Sequence, residues 1–122
     1  MRNNCGFPEW IWLNRPAASK MAPPHFTMFW SQDVLRHVTQ DEAGRSTELA
    51  VIAGRLQDAD APQPPPPDSW AAQLDADVAI WTIRMDPGAR WTLPATVGKL
   101  TQRSLYFFKG EQVDVDGELL TQ

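Results

Sequence analysis

Cysteine, histidine and tyrosine are nearly missing from this chain of 122 residues, which has one cysteine (Cys5), two histidines (His25 and His37) and one tyrosine. A lone thiol cannot close an internal disulfide, which suits a reducing compartment. Cys5 lies beside Gly6 with no partner histidine nearby, so it does not read as a nucleophile. The two histidines have no cysteine or carboxylate at ligand spacing and read as surface or capping residues. No apolar run is long enough to cross a membrane as a helix, and the start has no signal-peptide apolar core. Lysine and arginine number 11 against 15 acidic residues, a net charge of −4 without runs of one sign. That excludes the basic stripe that nucleic acid demands. There is no glycine-rich phosphate loop and no nucleophile elbow. These absences together predict a soluble cytoplasmic protein with neither nucleic acid nor membrane among its partners.

What the chain does have is β-pattern, tryptophan and proline. VAIWTI (78–83) is rich in β-branched and aromatic residues and runs into Asp86-Pro87-Gly88, where proline presets φ and glycine takes a positive φ without steric cost. Residues 90–93 read as a short return strand and 103–108 as a strong strand stopped by Lys109-Gly110. Residues 112–115 and 118–120 read as a hairpin turning on Asp116-Gly117. Upstream, 9–13, 25–30 and 47–56 read as strands, 31–35 as one capped helical turn, and 41–46 as a polar turn. Segment 57–69, with the run Pro64 to Pro67, reads as a stiff polyproline connector, with an SH3-type docking motif as its sharper reading. Short strands at this spacing predict an all-β sandwich or barrel. At this length the chain is one domain.

The residues PGARWTLP (87–94) followed by LYFFKGEQVDVDG (105–117) resemble the first motif of a cupin barrel in the variant found in pirin-like proteins. IWLNRPAASKMAPPHFTMFW (11–30) resembles the pirin inter-domain segment, and VIAGRL (51–56) the strand opening the second pirin barrel. The resemblance implies a partial cupin, or jelly-roll, fold over the single domain 1–122. Residues 1–46 would be the inter-domain-like segment and 47–122 the front of a second barrel. The opening MRNNCGFPE has no counterpart and reads as a fresh start to a truncated frame, of the kind carried on mobile gene cassettes. The family's metal-binding first barrel would be missing. In the second, the general cupin motif puts its paired histidines, counted from Gly88, on Pro94 and Thr96, and its glutamate, counted back from Gly110, on Arg103. Proline, threonine and arginine offer a transition metal neither imidazole nor carboxylate, so neither a metal nor another cofactor is expected.

With Arg103 inward, strand alternation would turn Leu105 and Phe107 into the barrel and Tyr106 and Phe108 outward. Asp114 and Asp116 flank a hairpin turn and read as solvated turn formers rather than an acid–base pair. No catalytic residue is therefore assigned. Six tryptophans are many for a chain this short and read either as core or as an aromatic pocket or interface, and with half a barrel missing some are expected at an interface. The expected interface or pocket residues are Trp10, Trp12, Trp81, Trp91, Tyr106 and Phe108. A sheet cut from a barrel leaves edges that a homodimer would complete. Three functions follow: a non-enzymatic β-domain acting by self-association or through a protein partner, a binder of small aromatic ligands in a tryptophan-rich pocket, or a residual quercetin dioxygenase-like enzyme, the activity that the pirin resemblance implies. The first is preferred, because the third lacks its ligand set.

Overall fold

The computed structural model describes residues 11, 13, 15–56, 62–73 and 75–121. Their architecture is all-β, as the strand pattern predicts, and consistent with part of a barrel. Strands β1 (Leu35–Gln40), β2 (Ser46–Ala53) and β3 (Ile80–Met85) form an antiparallel sheet in that order, and β4 (Gln112–Val115) pairs with β5 (Glu118–Thr121) as a separate hairpin. Helical structure among the described residues is confined to two 3-10 turns, Ala17–Ser19 and Trp70–Ala72, the second capped by the Ser69 side chain.

Pairing puts Leu35, Val51 and Trp81 side by side, then His37, Leu49 and Ile83, then Thr39, Thr47 and Met85. Because partners across a ladder share a face, this row makes the inner face of the sheet. The core sits there: Leu49 is 0% and Val51 1% exposed, joined by Leu56, with Leu35, Ile83, Trp81 and Trp91 packed around them. The opposite face is more open, with Arg36, Val38 and Arg84 exposed and Ala50 alone buried on it. Its Arg36–Glu48 pair, 2.9 Å apart but largely exposed, contributes only about 0.2–1 kcal/mol, so burial on the inner face holds the sheet.

The turns follow local chemistry. Between β1 and β2, the Asp41 carboxylate accepts the amides of Ala43 and Arg45 at 2.9 Å each, the Arg45 Nε at 2.8 Å and, from beyond β3, the Arg90 amide at 3.1 Å. One side chain thus ties a hairpin to a segment far along the chain. At the same end of the sheet the Ser46 amide donates to Asp86 Oδ2 at 2.8 Å, ahead of the Pro87-Gly88 turn, where Gly88 has φ 74°. A bulge at Ile52 shifts the β2–β3 register and delivers Gly54, at φ +81°, against the backbone of 78–79.

Several sequence expectations are corrected. Residues 25–30, 90–93 and 103–108 form no paired strand among the described residues. The expected helical turn over 31–35 is a non-helical turn at 31–33, with Asp33 N–H donating to the Trp30 carbonyl, and it leads into β1, a strand the sequence reading left out. Leu105 does not face a barrel interior; it is 54% exposed, while Phe107 is half-buried and folds toward Gly110. The cause is shared: an apolar, β-prone segment becomes a strand only when a neighbour supplies its ladder. Residues 9, 10 and 12 of the strand expected at 9–13, and 57–61 of the connector, lie outside the described residues.

Candidate functional site

The residues aligned with cupin ligand positions do meet in part. Arg103 Nη1 donates to the Pro94 carbonyl, and its guanidinium sits 5.7 Å from the Trp81 ring centroid. Nearby, Asp77, held at φ 47°, accepts the Gly98 amide at 2.9 Å and the Thr101 hydroxyl. The Thr101 hydroxyl, then the Gly98 amide and the positive charge of Arg103, hold the Asp77 carboxyl below its ordinary 3.8. This cluster does not suit a transition metal: the carbonyl is already taken by a cation, and Thr96 is exposed. No group of three or more metal-ligating side chains occurs among the described residues. The cluster works as a clamp, fastening the 94–103 loop to β3. One flaw remains in it: the Trp81 indole N–H is buried without an acceptor.

Of the expected interface residues, Trp81 and Trp91 are half-buried and pack on the Leu49–Val51–Leu56 core. Tyr106 is 82% exposed, and Phe108 is exposed as well. Trp10 and Trp12 lie outside the described residues. The structure therefore places the first pair at the core and the second on the open segment after the clamp. The other candidates take structural posts. Asp114 accepts the Gly117 amide at 2.8 Å and closes the hairpin, and His25 Nε2 lies 2.9 Å from the Thr27 hydroxyl on the surface. A hollow lined by Phe29, Leu35, Val51 and Pro62 encloses about 10 Å³, room for one water and far below the several hundred Å³ of a ligand pocket.

What dominates is uncovered apolar surface. Phe26, Met28 and Trp30 are exposed at alternate positions of an extended segment, and Val97, Leu100, Leu105, Tyr106 and Leu119 are exposed further on. Sequence reasoning missed the Asp41 and Asp77 ties, because a carboxylate contacting an amide 49 or 21 residues away leaves no local signal.

No protein-family model and no solved structure matches the chain. Among proteins of known sequence it is 30% identical over 88 residues, 72% of its length, to a Pseudomonas aeruginosa protein provisionally named a quercetin 2,3-dioxygenase. The chain spans about a quarter (27%) of that relative's length. This similarity agrees with a cupin-type relationship for an all-β chain, and the described residues contain no helix long and apolar enough to cross a membrane.

Proposed function

We propose that this chain is a pirin-like, cupin-derived β-domain that works by association and not by catalysis, in the cytoplasm. The observation that carries this reading is the mismatch between a core of a few residues and the apolar side chains left uncovered around it. Exposed apolar surface on this scale marks an interaction site. The dioxygenase activity named for the relative is not carried over, because the ligand-aligned positions hold Pro94, Thr96 and Arg103 and the first of these is engaged by the last. A single cysteine fits a reducing compartment.

Native mass spectrometry with metal analysis tests the proposal. The expected result is a metal-free protein that leaves quercetin unconsumed. A stoichiometric transition metal together with flavonoid turnover would overturn it.

A further inference from the structure

Resting on that reading, we infer that the surface is covered by a second copy of this chain, with the β4–β5 hairpin of each copy lying along the open edge of the other's β3. Three observations converge on this. First, the hairpin stands apart: neither of its strands packs extensively against β1, β2 or β3. A two-stranded hairpin without a packing surface is marginal in water, and this one carries Val113, Val115 and Leu120 on one face, the first and last half-buried and Val115 exposed. Second, the outer edge of β3 pairs with no described strand, which leaves a ladder of backbone groups ready for another chain.

Third, the charges match. The hairpin region carries Glu111, Asp114, Asp116 and Glu118 without a basic residue among them, whereas β3 and the loop after it carry Arg84, Arg90, Lys99 and Arg103 against Asp86 alone. Asp86 accepts the Ser46 amide, and no ion pair occupies Arg84 or Arg90 among the described residues. A twofold axis makes such a contact twice, acid on base in each direction.

Sedimentation equilibrium of the full chain across micromolar concentrations, at low and at high salt, tests this. A dimer is expected, and it should weaken as salt rises. Arg84→Glu and Glu118→Lys should each loosen it about tenfold, and the double variant should restore it. Both positions are exposed, so circular dichroism should show unchanged folding in every variant. A dimer indifferent to both substitutions overturns the proposed seating. A monomer that binds a hydrophobic dye overturns the second copy while leaving the association reading in place. A monomer that binds no dye removes both.

Discussion

The three-stranded sheet and the stretch that follows it, 89–121, are built from similar amounts of β-prone sequence and end in opposite conditions. In the sheet, β2 has a hydrogen-bonded neighbour on each side, and its inward row Thr47, Leu49 and Val51 is sealed. In the later stretch, the aromatic run after Arg103 finds no partner strand among the described residues, and the only ladder is the hairpin. The difference teaches that burial here is decided by neighbours. Leu49 and Leu105 are the same residue type in equally strand-like contexts, one at 0% and the other at 54% exposure.

The sharpest way to test that contrast is truncation on each side. Leu49→Ala should cost about 2–5 kcal/mol in urea unfolding, whereas Leu119→Ala should stay within about 0.5 kcal/mol. Equal costs would mean that the Leu119 face of the hairpin, opposite Val113 and Leu120, is covered as well. Next in size is Gly54→Ala. A Cβ there would clash with the Val78 carbonyl oxygen, at a φ of +81°, so a loss on the order of 1–3 kcal/mol is expected by the same measurement.

A smaller effect concerns the acid side. The Arg45 amide, with the Arg90 amide and the Arg45 side chain, holds the Asp41 carboxyl below its ordinary 3.8. A depressed carboxylate adds stability that is full above the unfolded value and is lost as pH falls through the lower folded one. The melting temperature should therefore drop on acidification below 3.8, and Asp41→Asn should lower it at neutral pH while flattening that acid limb. An unchanged acid limb in the variant would place the linkage elsewhere, with Asp77 the next carboxylate to test. Smallest is Gly117→Ala, at φ +88° with open space around it. It should reduce hydrogen-exchange protection of the hairpin amides and leave the global melting temperature in place. A global shift would show that hairpin and sheet unfold together.

How much was legible beforehand follows the same division. The Asp116-Gly117 hairpin was readable because its turn chemistry is contained in two residues; both have positive φ, at 54° and 88°. The Pro87-Gly88 turn and the strands over 46–53 and 80–85 were readable for the same local reason. Strand β1 was not, since Leu35-Arg36-His37-Val38 alternates only weakly and takes its strand form from pairing with β2. The expected strands at 25–30, 90–93 and 103–108 carried good local propensity and found no partner among the described residues. At the clamp, the sequence indicated that Pro94, Thr96 and Arg103 could not bind a metal, but not that Arg103 would reach the Pro94 carbonyl and the Trp81 ring.

The sequence by itself determined the all-β class, the Pro87-Gly88 and Asp116-Gly117 turns and the chemistry missing from the ligand-aligned positions, because these depend on residue type and on spacings of a few residues. Tertiary structure alone decided which strands found neighbours, where Asp41 and Asp77 tie distant loops, and which apolar side chains were left in water. Those outcomes depend on contacts between residues far apart in the chain, and local pattern carries no record of them.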